Sequence, residues 1–510
     1  MISLFHFIIF LYLTNTLESK RARPNVILFI ADDLGYGDLS GYGHPTSNTP
    51  KIDKIISKSM WFTNYYAASP ICSPSRASII TGEYPSRSGI YPGVFFPNST
   101  GGLDPKKKTL MKELRERFGY KSALIGKWHL GVGESGQYLP TVSKNFDSYY
   151  GIPYAHDMCP CNECFPKMRC LSKCHDKFVA CPLFENDVIK EQPADLTRLT
   201  QRYTNKAKEF LKSNIDNPFF LTYAFHQPHH PQFAGSKFTN SSFRGGIGDA
   251  LNEMDDAVGQ ILDSLKELGL RSKTLILFTS DNGPSLQRQE RGGCAGLFRC
   301  GKGTTYEGGV RVPFFMHWGG FVHPWTSHTL ITSLDIYPTL MSMISYQSKN
   351  STDGFDFSHH ILKRDAKFNP RESFLYFPGH VDQTIGPYAV RYKNYKAHFY
   401  TEGNELSDGN NYDFACTTKA NRTLHNPPLL FDLNLDPGER YPLDPNKNRD
   451  LLLEIQYVTM NIMKTMTWAD GEMKKPNSNN AQPCAQKGCR DFPSCCSTRT
   501  ELPLISIIHK

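Results

Sequence analysis

The sequence predicts an α/β protein: a large mixed, mostly parallel sheet flanked by helices, followed by a smaller C-terminal antiparallel sheet domain. Three observations carry this. Over most of the chain, short continuous apolar runs alternate with segments of helical apolar spacing, the pattern of βαβ units. Several of the runs end in clusters of charged and polar residues, as parallel strands do when their carboxyl ends carry function. After about residue 380 the continuous runs give way to alternating ones, the period of antiparallel strands.

The elements follow in order. The chain has 510 residues, 39% hydrophobic and 21% charged, enough for one large core and a smaller one. Residues 4–13 are almost purely apolar, too short to cross a bilayer but suited to a signal peptide, so residues 1–19 are expected to be removed. No later stretch reaches about 18 apolar residues, and the mature chain is expected to be soluble. Residues 25–31 (NVILFIA) read as a buried parallel strand ending in Asp32-Asp33-Leu34-Gly35. Similar runs occupy residues 122–125, 219–225, 274–279 and 312–317. Residues 247–268 place Ala250, Leu251, Met254, Val258, Ile261, Leu262 and Leu265 near helical spacing, with Gly269 just beyond as a stop. Residues 20–380 are thus expected to form the larger domain. Residues 381–510 are expected to form the smaller one, from alternating runs at 388–392 and 396–400, a run at 429–433 and a helix near 449–466.

The net charge of +8 is spread along the chain, and its densest basic run is Lys106-Lys107-Lys108. That is a solvated loop rather than a nucleic-acid footprint, so no nucleic-acid partner is expected. Of 14 cysteines, Cys159, Cys161, Cys164, Cys170, Cys174 and Cys181 cluster together, and Cys484, Cys489, Cys495 and Cys496 lie near the C-terminus. Behind a signal peptide, such spacing points to disulfides rather than zinc. Sequons at Asn98, Asn240, Asn350 and Asn421 agree with passage through the secretory pathway.

Four polar clusters sit at the predicted strand ends: Asp32-Asp33, Lys127-Trp128-His129, His226 with His229-His230, and Asp281-Asn282. A single acidic pair is often only a cap. Four clusters in one sheet suggest a site. Asp32, Asp33, Asp281 and Asn282 offer oxygen ligands, which suit a hard cation such as Ca²⁺ or Mg²⁺ better than Zn²⁺. The stretch Cys72-Ser73-Pro74-Ser75-Arg76 reads as a loop entering a helix, since proline is tolerated in a first turn. A cysteine at a helix N-terminus beside arginine could also be an activated thiolate, which leaves a Cys–His hydrolase open. The segment from Gly296 to Gly303 nearly spells a phosphate-binding loop, but Gly303 stands where Ser or Thr is required.

Cys-x-Pro-Ser-Arg followed by Thr81-Gly82 resembles the signature of the type I sulfatases, whose cysteine is oxidised to formylglycine. Asp32-Asp33-Leu34-Gly35, the Gly126–Gly133 stretch GKWHLGVG, His229 before Pro231-Gln232-Phe233, Asp281-Asn282-Gly283-Pro284 and residues 291–309 fit the same family, most closely its animal arylsulfatase branch. The likeness covers roughly residues 24–500 and implies an alkaline-phosphatase-like fold. It implies that formylglycine at position 72 hydrates to a gem-diol, one hydroxyl of which attacks sulfur, while loss of the other's proton expels sulfate. By the same resemblance one cation per chain, Ca²⁺ or Mg²⁺, is held by Asp32, Asp33, Asp281, Asn282 and the oxidised Cys72. Arg76 and Lys127 hold the diol, His129 is the base, and His229 and Lys302 bind sulfate and assist the leaving group.

The resemblance also implies disulfides Cys161–Cys174 and Cys164–Cys170. Cys159–Cys181 follows by elimination, Cys300–Cys416 is expected with them, and the four tail cysteines are expected to form two more bridges, leaving Cys72 and Cys294 unpaired. One departure stands out: the family pattern has serine after Gly-Ile-Pro-Tyr, and here that position is Ala155. Expected partners are a sulfated small-molecule, glycolipid or glycan substrate, the formylglycine-generating enzyme during maturation and, as an open option, further copies of this chain. The expected location is the secretory pathway, lysosomal or secreted. Alternatives are the N-acetylgalactosamine-6-sulfatase branch, a metal phosphatase of the same superfamily, and a non-catalytic binder of sulfated glycans.

Overall fold

A computed structural model describes residues 23–158, 181–191, 194–345, 352–407, 413–478 and 481. The expected signal segment, Asn350, Cys159 and the cysteines at 161–174, and the four tail cysteines lie outside the described residues.

The strands are β1 (Asn25–Asp32), β2 (Met60–Phe62), β3 (Tyr65–Tyr66), β4 (Lys121–Gly126), β5 (Ser148–Gly151), β6 (Leu183–Glu185), β7 (Val188–Glu191) and β8 (Phe219–Pro228). They continue with β9 (Thr274–Ser280), β10 (Phe314–His317), β11 (Trp325–Ser327), β12 (Ile331–Thr332), β13 (Ser373–Tyr376), β14 (Ala389–Tyr392), β15 (Tyr395–Thr401) and β16 (Thr423–Asp432). The large sheet has ten strands in the order β11-β2-β10-β9-β1-β8-β4-β5-β6-β7. Its centre, β9-β1-β8-β4-β5, is parallel throughout. Antiparallel pairs flank that centre on both sides. This is the mixed, mostly parallel sheet expected from the sequence.

β1 is buried at every position, so both its faces are covered, which is why its sequence runs apolar without alternation. The helices Leu199–Ser213 and Gly245–Glu267 pack on each other and on β8. A second group, Cys72–Thr81, Leu110–Phe118 and Ile336–Ser345, packs together and reaches β4 through its middle member. The run at 312–317 behaves differently from the other four. Its strand begins only at Phe314 and lies antiparallel to both β9 and β2. Pro313 has no N–H to give to a ladder, so pairing starts after it.

β13-β14-β15-β16 form a separate antiparallel sheet, against which the helix Arg449–Thr465 packs. The two parts share a buried cluster in which Tyr66, Tyr84 and Val310 meet Phe374, Tyr376, Val390 and Leu430. A buried ionic network crosses the same boundary. Lys396 on β15 donates to Glu307 Oε1 at 2.9 Å and lies 3.1 Å from Glu439 Oε1, while His398 reaches Glu439 at 2.6 Å. Glu307 also accepts from Tyr66 at 2.7 Å and Arg311 at 3.1 Å. The disulfide Cys300–Cys416 and the Arg299–Asp413 pair, at 2.6 and 2.8 Å, tie the boundary down further. Among the described residues Cys72 and Cys294 are the free cysteines, and no helix is long and apolar enough to cross a membrane.

Candidate active site

Neighbouring strands β9, β1, β8 and β4 are parallel, so their carboxyl ends open along one rim of the sheet. Asp32 ends β1, and Asp33 follows it at φ +60°. Asp281 and Asn282 follow β9; His229 follows β8; Lys127 follows β4. Gly126 makes the last turn possible: it sits at φ +113°, and a Cβ there would come within 1.7 Å of the Ala224 carbonyl oxygen.

Every charged side chain on this rim has a partner of opposite sign. Lys127 Nζ donates to Asp32 Oδ2 at 2.7 Å, and Lys302 Nζ lies 2.7 and 2.8 Å from the two Asp33 oxygens. Arg76 pairs with Asp281 Oδ2 at 2.8 and 2.9 Å, approaches Asp32 at 3.6 Å and donates to the Lys127 carbonyl at 3.1 Å. Three carboxylates face three cations, all six buried. Burial pushes Asp32 upward, but Lys127, His229, Arg76 and Lys302 outweigh it and hold its carboxyl well below the usual range. Asp33 goes the other way: burial raises it to about 6, against the pull of Lys302 and with help from Asp32 and Asp281.

Cys72 opens the helix Cys72–Thr81, which is buried along its whole length. The Cys72 sulfur points to carboxylates, 3.6 Å from Asp32 Oδ1 and 3.9 Å from Asp33 Oδ1. Burial pushes its thiol far up, beyond what Lys127 and Lys302 recover. A thiol held protonated is not the nucleophile of a Cys–His hydrolase. The direction of that shift opposes the thiolate that such a hydrolase needs.

The histidines divide by what their nitrogens face. His129 Nε2 lies 3.0 Å from the Phe95 carbonyl, while Nδ1 is buried without a partner. Burial, Lys127 and Arg76 hold the ring neutral. With the proton on Nε2, given to Phe95, the Nδ1 lone pair is the free base. His229 Nδ1 lies 2.6 Å from the His230 carbonyl, and Nε2 sits 3.5 Å from Asp33 Oδ2. Burial and Lys302 keep His229 neutral, and an approaching anionic sulfate ester works in the opposite sense. His226, also neutral through burial, stacks on Tyr203 with both nitrogens unpartnered.

The residues fit a metal. Ligand atoms of Asp32, Asp33, Cys72 and His229 all lie within 4.8 Å of one another, forming a buried group that could hold an ion. The sequence-derived set differs in naming Asp281 and Asn282 instead of His229. Asp281 Oδ2 is taken by Arg76, and Oδ1 lies 3.2 Å from the Asp33 N–H. Asn282 gives its Nδ2 to Asp33 at 2.8 Å and leaves Oδ1 buried without a partner. An orphaned amide oxygen beside carboxylates is the donor chemistry of a hard cation.

All the sequence-derived residues, Cys72, Arg76, Lys127, His129, His229, Lys302, Asp32, Asp33, Asp281 and Asn282, thus come to one rim. Sequence reasoning passed over His156, whose ring meets those of His226 and His229 edge-on at 5.4 and 5.5 Å. Its signal was its place directly after Ala155. Ala155 is buried and brings only a methyl group where the family pattern has a hydroxyl.

The model of the sulfatase family matches residues 24–346, and that of the C-terminal region of aryl-sulfatase matches residues 369–497. Arylsulfatase A of Homo sapiens is 42% identical over 485 residues, covering 93% of this chain and 95% of its own. N-acetylgalactosamine-6-sulfatase of Mus musculus is 32% identical over 503 residues, covering 94% of each chain. Among solved structures, Ps i-CgsB in complex with k-i-k-neocarrahexaose is similar with a TM-score of 0.71 at 25% identity, covering 88% of this chain and 94% of its own.

Proposed function

Because the chain belongs to the sulfatase family and is a sulfuric ester hydrolase, we propose that Cys72, oxidised to formylglycine and hydrated, is its nucleophile. The observation that carries this reading is the Cys72 side chain, buried within 3.6 and 3.9 Å of two carboxylates in a pocket where acids and bases balance. A thiol pushed up by burial is inert there. A diol oxygen at the same place needs only a proton acceptor and a neutralising surround.

Arg76 and Lys127 hold the diol and offset its charge. His129, through its free Nδ1, takes the proton whose loss returns the diol to the aldehyde and releases sulfate. His229 and Lys302 grip the sulfate oxygens, and His229, protonated once the anionic ester is bound, gives that proton to the departing alcohol, help worth typically about 10²–10⁴-fold. Asp32, Asp33, Asp281, Asn282 and the oxidised side chain at 72 would hold one Ca²⁺ or Mg²⁺. Bound there, the ion supplies Lewis-acid polarisation and orientation.

The substrate is read as a sulfated glycolipid or glycan. The higher identity to arylsulfatase A, 42% against 32%, favours that branch over an N-acetylgalactosamine-6-sulfatase-like activity. Ala155 leaves the sulfate one hydroxyl contact fewer than the family pattern. Maturation is read as signal removal at residues 1–19, glycosylation in the secretory pathway and oxidation of Cys72 by a formylglycine-generating enzyme, with residence lysosomal or extracellular. Residues 20–380 form the catalytic domain in this reading and 381–510 the smaller one.

The metal part is tested by melting. Ca²⁺ or Mg²⁺ at about a hundredfold excess over its Kd adds about 2.7 kcal/mol and raises Tm; a chelator reverses the gain. Asn282→Ala removes the orphaned oxygen, so the same ion gives a smaller shift. A Tm indifferent to both ions would contradict the ligand set.

A further inference from the structure

The segment that carries His229 is closed by one buried carboxylate. Glu253, on the helix Gly245–Glu267, is 5% exposed and accepts three hydrogen bonds. Its Oε2 accepts from Gln227 Nε2 at 3.1 Å and from Thr200 Oγ1 at 2.9 Å; its Oε1 accepts from the Gly235 N–H at 3.0 Å. Gln227 stands two residues before His229 and Gly235 six residues after it. Both ends of the loop therefore converge on the same side chain, and Thr200 ties that side chain to the helix Leu199–Ser213. Within the loop, the His229 N–H donates to the His226 carbonyl at 3.1 Å, and Gln232 donates to the Pro228 and Arg291 carbonyls at 2.9 and 2.7 Å. Nothing in the loop itself fixes its two ends to each other. Glu253 does.

We infer that Glu253 is a positioning residue: it clasps residues 227–235 so that His229 is held facing Asp33 and the sulfate. The inference rests on the reading of His229 given above. A buried acid that merely stabilised the fold would lower activity by the same factor whether or not His229 were present. A clasp acts through His229 and loses its effect when that ring is gone.

A double-mutant cycle on the full chain separates the two, with aryl sulfate turnover as the readout and melting as a check on folding. Glu253→Ala should lower kcat by about 10²-fold, the cost of a misplacement of about 1 Å. In a His229→Ala background the same change should cost less than about 3-fold. Should Glu253→Ala not fold, Glu253→Gln keeps the shape and one accepting oxygen. It should lose about 10-fold with the same dependence on His229. Equal losses in both backgrounds overturn the inference alone. An unchanged kcat in His229→Ala overturns the reading of His229, and the inference with it.

Discussion

Cys72→Ala yields a folded protein whose hydrolysis of aryl sulfate is lower by at least about 10⁴-fold, the scale on which loss of a covalent nucleophile is felt. The side chain opens a helix that is buried throughout, so alanine keeps the helix start and the packing of Ser73, Arg76, Ile79 and Ile80. The ion pairs of Arg76 with Asp281 and of Lys127 with Asp32 do not involve the sulfur and remain. Substrate binding therefore survives, since Lys302 and His229 are untouched, and the loss falls on kcat rather than on KM. Turnover by the alanine variant at more than a hundredth of the wild-type rate would remove position 72 from the chemistry.

Lys396→Met destabilises the protein by about 3–5 kcal/mol, the cost of stripping the cation from a buried ionic group. Lys396 is fully buried between Glu307 at 2.9 Å and Glu439 at 3.1 Å. In the native protein burial pushes Glu307 up, but Lys396, Arg311 and Arg391 prevail and hold its carboxyl at about 2. A depressed carboxyl contributes stability above its ordinary value of 4.5, which is lost as pH falls through the window from 4.5 to about 2. The network is thus intact above pH 4.5. Without Lys396 both carboxylates favour protonation. The deficit of the variant should therefore shrink as pH is lowered toward 5, which urea unfolding at two pH values measures. Since Glu439 Oε2 accepts from the Glu307 N–H at 2.6 Å, the change also loosens the loop that carries Lys302.

What the sequence made legible follows from how each element is buried. β1, β4, β8 and β9 were readable because parallel strands covered on both faces are uninterrupted apolar runs. β2, β3, β6, β11 and β12 have only two or three residues each and carry no period to read. The site residues on the strand ends were readable as motifs, since polar residues directly after apolar runs stand out. Their pairings were not. Arg76 meets Asp281 across 205 positions and Lys396 meets Glu307 across 89, and nothing local marks either partner. Glu253 lies among the apolar positions of its helix without any local mark, and only the structure shows it accepting from Gln227 and Gly235. The sequence also left Cys72 open as a thiolate nucleophile. That choice depended on whether the neighbouring cations or burial prevail, and burial outweighs Lys127 and Lys302.

The most direct test is the mass of tryptic peptide 59–76 from protein expressed through a secretory pathway. The account predicts an aldehyde in place of the Cys72 thiol, in a fraction of molecules that tracks specific activity. Full activity from protein carrying only the intact thiol would contradict it.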